Sequence, residues 1–411
     1  MENINSGGKR IAIVTYALNT GGVSTFIEDL SEIFENEGFQ TDIYTTEKKG
    51  DYFYTLKNKG KFLHNIRFDL LKWIPFGRII HSIFCGFLIR MRNYNAVFLV
   101  HSYAAHHSLF LYRNRTLVFS VIQNTERNVV KLGCRFPDLL DGIICVSRNI
   151  YDSVVLTIKD GKCFLIENSI HLPSDEKYSC MRKPLDNKAK VLYLGRLDNW
   201  QKGVLKIPDI LQELLNISCE IDMTIVGSGN DKEELMKRIY EIGLQKSVHF
   251  MDAVPRNKVD DLFAEHHVFL MPSNFEGLPF TLMEAMSWGC VPVASELKGV
   301  TDYCVDPGIN GFLIPPDDIK GFAGAISKII LSREKWSRMS RASREKALST
   351  FSIDKMKGKY INLINRSNKK KIHHIGILSI FRMYSLKEIF PYQVIIFTKR
   401  MMRKIKVGKI I

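Results

Sequence analysis

The sequence predicts an α/β protein of two domains, each built on a parallel sheet, and three observations carry that reading. Short runs rich in Val, Ile, Leu and Phe recur along the chain with helix-length spacers between them, the pattern of strands buried on both faces and joined by crossover helices. That pattern stops at a polar, irregular stretch between residues 168 and 190 and then starts again. A length of 411 residues with 45% hydrophobic content supplies a core for each half.

The opening "KRIAIVTYALNTGGVSTFIEDLSEIFENEGF" reads as a buried strand over residues 11–16, a glycine-bearing loop, and an amphipathic helix with apolar Phe26, Leu30, Ile33 and Phe34. Further strands are expected at 41–46, 96–101, 117–122 and 142–147. After the linker, "KVLYLG", "DMTIVGSG", "VHFMD", "VFLMPS", "VPVAS" and "GFLIPP" restart the series at 190–195, 222–229, 248–252, 268–273, 291–295 and 311–316. The expected division is an N-terminal domain over 1–167, a linker over 168–187 and a C-terminal domain over 188–345, with a cleft at the carboxyl ends of both strand sets, where open α/β sheets bind ligands.

The formal charge of +15 points towards an anionic partner, whether a phosphorylated substrate, nucleic acid or an anionic membrane. Residues 369–411 hold eleven Lys/Arg against the single acid Glu388, so +10 of that charge lies in the last tenth of the chain. There Ile372, Ile375, Leu378 and Phe381, then Val394, Phe397, Met401 and Ile405, repeat at helical spacing among cations, as basic amphipathic helices do. Residues 57–92 form a second basic, aromatic patch with Trp73, Phe76, Phe84 and Phe87. The plain alternative is that both pack on the protein's own surface.

The composition excludes a disordered or fibrous chain. Eight dispersed cysteines without a C-x-x-C pair argue against a disulfide scaffold or structural zinc and for a reducing compartment. The start "MENINSGGKR" lacks an apolar core, so no secretory signal is expected. The apolar runs 79–89 and 389–398 fall short of the roughly 20 residues that cross a bilayer. If they meet a membrane, they lie on it.

Four motifs carry the chemistry. In "NFEGLPFTLMEAMSWGCVPVAS" a strand runs into a loop with Glu276 and Gly277, a helix over about 279–288 opens on Pro279, and Gly289 stops it. Its N-terminus suits a phosphate or a sugar hydroxyl, and Gly277 lets backbone approach closely. Glu276 and Glu284 can each accept paired hydrogen bonds from vicinal hydroxyls; ordinary surface acids are the bland alternative. In "LGRLDNWQKG" Arg196 and Lys202 follow a strand, a fork and a point charge suited to a diphosphate, or plain surface charge. "NTGGVSTF" places Gly21 and Gly22, and "VGSGND" places Gly227 and Gly229, at strand-to-helix turns where backbone amides can meet a ligand.

The run from Glu276 to Glu284, E-G-L-P-F-T-L-M-E followed by A-M-S-W-G-C-V-P-V-A-S, resembles the E-x7-E signature of retaining glycosyltransferases of family 4, which have the GT-B fold. The resemblance extends over about residues 9–365. It implies transfer of a sugar from a nucleotide diphosphosugar, UDP- or GDP-linked, to an acceptor hydroxyl with retained anomeric configuration. By that resemblance Glu276, Arg196 and Lys202 serve the reacting sugar and diphosphate, and Glu284 holds the ribose. Gly277, Leu278, Pro279, Phe280, Thr281, Gly227, Gly229, Gly21 and Gly22 line the donor site. It also implies that residues 346–366 return to an acceptor-binding first domain, leaving 367–411 as an added basic tail. Where the family carries a histidine, this chain has Gln123 with Asn124 beside it. His101, His106 and His107 are expected to be structural.

No D-x-D occurs, the nearest stretch being Glu220-Ile221-Asp222, so a mechanism without metal or other cofactor is expected. The expected acceptor is a lipid-linked glycan or polysaccharide of the capsular or lipopolysaccharide type, at the inner face of a plasma membrane. The rival readings are a nucleotide-sugar epimerase of the same architecture and a basic nucleic-acid-binding protein, for which no recognised motif is present.

Overall fold

The computed structural model describes residues 9–67, 76–112, 116–158, 161–185 and 188–367. They form two compact units: the first takes the chain up to Ile144, then Val154–Phe164 and again from Ile361, and the second takes Cys145–Ser153 and Leu165–Tyr360. The helix Ile353–Arg366 spans the last of these divisions. The basic tail and Trp73 lie outside the described residues.

The first sheet, which lies in the first unit but for Cys145 and Leu165, holds β1 (Arg10–Thr15), β2 (Gln40–Thr45), β3 (Phe62–Asn65), β4 (Ala96–Val100), β5 (Leu117–Ile122), β6 (Gly142–Cys145) and β7 (Cys163–Leu165) in the order β3-β2-β1-β4-β5-β6-β7. Pairs β2–β3, β1–β2, β1–β4 and β4–β5 are all parallel. The helix Gly22–Asn36 buries the expected Phe26, Leu30, Ile33 and Phe34. Phe34 stacks on Phe98 and Phe98 on Phe119, with ring centroids 5.0 and 5.2 Å apart.

The second unit holds β8 (Ala189–Leu194), β9 (Ile221–Val226), β10 (Val248–Met251), β11 (Val268–Met271), β12 (Val291–Ser295) and β13 (Phe312–Ile314), ordered β10-β9-β8-β11-β12-β13. Val191, Tyr193, Val268, Leu270, Val291 and Val293 pack with Ile207, Ile210, Leu211 and Leu214 of the helix Ile207–Asn216 and with Phe322, Ile326 and Ile329 of the helix Ile319–Ile330. Leu192 and Phe269 are buried on alternate positions, and Phe269 meets Phe263 of the helix Arg256–Glu265. Both faces are covered, which is why these strands read as continuous apolar runs. In each sheet the strand order reverses once, at β1/β4 and at β8/β11, and ligands of such sheets bind at the carboxyl ends beside that reversal.

Every strand expected from the sequence is present, and two short ones are added. β3 and β7 are edge strands of four and three residues whose side chains are at best half-buried, so their sequences carry little apolar signal. The expected linker contains a helix, Asp175–Met181, started by Ser174 Oγ accepting from Lys177 N at 3.2 Å. The helix after Glu276 runs Phe280–Ser287, with Pro279 as its cap, and Gly289 has the left-handed φ of 70° that ends it.

Three glycines set the loops at the β8/β11 reversal. A Cβ on Gly227 (φ 149°) would lie 1.9 Å from the Gly195 carbonyl oxygen, and one on Gly229 would lie 2.1 Å from that of Leu197. Gly203 (φ 62°) likewise sits against the Pro272 carbonyl, at 2.1 Å from a built Cβ. Close seating allows Leu197 N to bond Ser228 O at 2.9 Å and Asp231 N to bond Leu197 O at 3.0 Å.

At the amino-terminal side of the first sheet, Asp42 is 1% exposed and accepts from Arg10 Nη2 and Tyr94 Oη at 2.7 Å each and meets His64 Nε2 at 2.9 Å. Burial pushes its pKa up, but the hydrogen bonds from His64, Tyr94 and Arg10 outweigh that and hold it down at about 2. One carboxylate thus ties β1, β2, β3 and the approach to β4.

Two outcomes follow. Gly203→Ala and Gly227→Ala each cost about 2–3 kcal/mol in urea unfolding, because the clashing atoms are backbone and cannot rotate away. Asp42→Asn costs about 3 kcal/mol at neutral pH. Since the folded pKa lies below the unfolded one, this stabilisation is complete above about pH 4 and is lost as pH falls through about 2, so the gap between wild type and variant closes over that window.

Candidate functional site

The site forms where β8 and β11 end side by side. After β8, Asp198 caps the short helix Asn199–Lys202, its Oδ1 accepting from Trp200 N at 3.2 Å, and Gly203 closes it. This turn brings Arg196, Gln201 and Lys202 towards the loop after β11. Lys202 Nζ lies 2.6 Å from Glu276 Oε1, Ser273 Oγ donates to the same oxygen at 2.8 Å, and Gln201 Nε2 reaches Glu276 Oε2 at 3.4 Å. Gln201 Oε1 in turn accepts from Arg196 Nη2. Arg196 also faces Asp198 at 3.4 Å and keeps a side chain 55% exposed.

Glu276 is 5% exposed, and the sequence assigns it to the donor sugar, next to a diphosphate held by Arg196 and Lys202. The structure joins it directly to Lys202, so acid and cation form one hydrogen-bonded group with Gln201 and Arg196. The Tyr193 hydroxyl beneath donates to Arg196 O at 2.7 Å; burial, reinforced by the Glu276 charge, raises its pKa well above the ordinary value.

Beyond Glu276, Gly277, Leu278, Pro279 and Phe280 are buried and Thr281 is half-buried. The first-turn N–H groups of the helix Phe280–Ser287 have no acceptors within the helix, and its dipole favours an anion at that end. Glu284, on the second turn, is partly exposed and lies 3.5 Å from Arg256 Nη2. The two acids therefore have separate cationic neighbours, Lys202 for Glu276 and Arg256 for Glu284.

Gly227 and Gly229 are in the loop beside Arg196, where their immediate contacts are the Gly195 and Leu197 carbonyls. Their observed work is to seat the cation-bearing turn. In the first unit, exposed Gly21 (φ 145°) caps the helix that starts at Gly22, and Thr20 beside it is held by Asp51, with Thr20 N 2.8 Å from Oδ1. Gln123 is 7% exposed at the end of β5, and its N–H donates to His101 Nε2 at 3.1 Å. Asn124 Oδ1 accepts from Glu126 N at 3.0 Å.

The histidines behave as structural groups. Burial holds His101 down to about 4 and His106 down to about 3, so both imidazoles are neutral at pH 7. His106 is bonded to Ser102 O and Ser120 Oγ, and His107 stacks on Tyr103 with centroids 3.8 Å apart. Asp222, of the acidic stretch nearest to D-x-D, is at the amino-terminal end of β9 and pairs with Lys188 at 2.8 Å. It stands at the opposite strand ends from Glu276.

Four site residues escape the sequence reading. Gln201 and Ser273 are neutral polar residues beside stronger signals. Lys206 Nζ meets Asn274 Oδ1 at 2.6 Å, and burial lowers its pKa. Arg256 begins a helix whose sequence gives no hint that it faces Glu284. Only the spacing of Lys206, four residues after Lys202, could have flagged one of them.

Residues 181–346 match the family model described as Glycosyl transferases group 1. The chain is 30% identical over 153 residues to a lipopolysaccharide 1,6-galactosyltransferase of Salmonella typhimurium, covering 37% of this chain and 42% of that protein. It is 26% identical over 266 residues to an Escherichia coli UDP-Gal:alpha-D-GlcNAc-diphosphoundecaprenol alpha-1,3-galactosyltransferase, covering 59% and 67%. The chain thus spans under half the length of the first of these relatives. The apo structure of the lipopolysaccharide outer core galactosyltransferase WaaB is similar in fold, with a TM-score of 0.68 at 20% identity over 87% of this chain and 99% of that one. The protein has the GT-B fold, and its similarity to the Glycosyl transferases group 1 model lies within the second unit.

Proposed function

We propose that this chain is a retaining glycosyltransferase of the family 4 type, moving a sugar from a UDP- or GDP-sugar to a hydroxyl of a lipid-linked or polysaccharide acceptor in cell-envelope glycan synthesis. The observation that carries the proposal is the group Arg196–Gln201–Glu276–Lys202 beside an open helix N-terminus, at the carboxyl ends of β8 and β11. A site with two cations and amide dipoles meets a diphosphate, while two acids meet sugar hydroxyls. In this reading Arg196 and Lys202 neutralise the leaving diphosphate, Glu276 holds the donor sugar's hydroxyls, and Glu284 holds the ribose.

Retention would follow front-face attack: the bond from the anomeric carbon to the phosphate oxygen breaks, the acceptor oxygen bonds to that carbon, and the acceptor proton passes to the departing phosphate. No metal is needed in this scheme, because the cations supply the charge that a divalent ion otherwise would.

The proposed setting is the inner face of the plasma membrane. Among the described residues no helix is long and apolar enough to cross a membrane. The helix Gly77–Met91 exposes Ile80, Ile83, Phe84, Phe87 and Met91 together with Arg78 and Arg90, and it contains no acid. An apolar stripe flanked by arginines suits the headgroup boundary of an anionic bilayer.

A thermal-shift series with nucleoside diphosphates and nucleotide sugars tests the donor site. At a ligand concentration about 100-fold over Kd, binding adds roughly 2.7 kcal/mol, raising the Tm of wild type by roughly 5 °C. Glu284→Ala and Lys202→Ala lose most of that rise. A wild type that none of these compounds stabilises would remove the reading. For the membrane contact, Ile83→Glu with Phe87→Glu reduces flotation with phosphatidylglycerol vesicles about tenfold. Equal flotation of wild type and variant, with and without residues 369–411, contradicts it.

A further inference from the structure

The two other described tryptophans, Trp288 and Trp336, are 1% and 6% exposed, whereas Trp200 is 64% exposed on the turn that carries Lys202. Water contact of this size around an indole is unfavourable, and a loose surface side chain would fold down to reduce it. Trp200 is instead fixed. Its backbone N–H is held by Asp198, and the carbonyls of Asn199 and Trp200 both accept from Asn274 Nδ2 at 3.0 Å. Its ring is braced edge to face by Phe275, with centroids 4.5 Å apart and planes at 74°. The Trp200 Nε1–H has no protein acceptor among the described residues.

Both rings belong to residues next to the Glu276 group. Phe275 precedes Glu276, and Trp200 precedes Gln201, which bonds it. The ribose acid Glu284 is faced by a different element, through Arg256. The aromatic pair therefore adjoins the sugar end of the site.

We propose, on the glycosyl-transfer reading above, that Trp200, braced by Phe275, is a stacking platform for a pyranose ring. The apolar C–H face of the sugar lies on the indole, and a ring hydroxyl accepts from Nε1–H. The ring belongs to the donor sugar or to the terminal sugar of the acceptor, and the kinetic arms separate the two. Trp200 is a specificity and positioning group that leaves the diphosphate contacts to Arg196 and Lys202.

The test uses full-length wild type, Trp200→Ala and Trp200→Phe. UDP and GDP affinities are read by calorimetry, donor and acceptor KM by transfer assay, and tryptophan emission on adding galactose, glucose or N-acetylglucosamine to the free and to the UDP- or GDP-bound protein. Trp200→Ala raises one KM about tenfold with the nucleoside diphosphate affinity unchanged, and Trp200→Phe recovers most of the loss. A rise in donor KM assigns the ring to the donor, and a rise in acceptor KM assigns it to the acceptor. A sugar-induced emission shift in wild type that Trp200→Phe abolishes supports the platform independently of turnover. Unchanged KM values with no emission shift overturn it, as does a parallel loss of nucleoside diphosphate affinity. A wild type that binds no nucleotide and forms no product overturns the glycosyl-transfer reading instead, and the emission measured with the sugars alone still decides for or against Trp200.

Discussion

A carboxyl group buried at the mouth of a strand-loop-helix turn is unfavourable unless every lone pair finds a donor, and Glu276 imposes that condition on the site. Its partners come from its own loop through Ser273 and from the neighbouring turn through Gln201 and Lys202. The second set is available only because β8 and β11 are adjacent, although Lys202 and Glu276 are 74 residues apart. The sheet's reversal thus creates the pairing, and the pairing fixes the distance between the site's acid and its cations before any ligand arrives. Preorganisation of this kind lowers the ordering cost of binding.

The two sheets manage buried polarity in contrasting ways. Asp42 joins strands where no ligand is expected, at their amino-terminal side, and both of its carboxylate oxygens are engaged within the protein. At the carboxyl side, Arg196 keeps more than half of its side chain in water, and the helix after Pro279 starts without a side-chain cap. Closed polar networks stabilise; open ones leave donors for a ligand. His106 of the first unit belongs to the closed kind, because it spends both ring nitrogens on Ser102 and Ser120.

Much of this was legible in the residues. Val/Ile/Leu/Phe runs located the central strands because burial on both faces leaves no polar alternation, and Gly289 marked a helix end because its left-handed φ is open chiefly to glycine. The edges β3 and β7 were not legible, being short and half-exposed, nor was the helix Asp175–Met181, which buries no residue and lacks an apolar face to betray it. Glu276, Glu284, Arg196 and Lys202 could be singled out from local context. Which cation faces which acid depends on strand order and on Arg256, and pairwise spacing carries no record of either.

The turn from Gly195 to Gly203 is clamped along its length. Gly195 and Leu197 lie under Gly227 and Gly229, Asn274 bonds the carbonyls of residues 199, 200 and 201, and Gly203 abuts Pro272. Surface loops usually drift in length as sequences diverge. Here one inserted or deleted residue would put at least one clamp out of register and separate Lys202 from its acid. The turn therefore tolerates exchange of the side chains that point away from the clamps more readily than any change in its residue count.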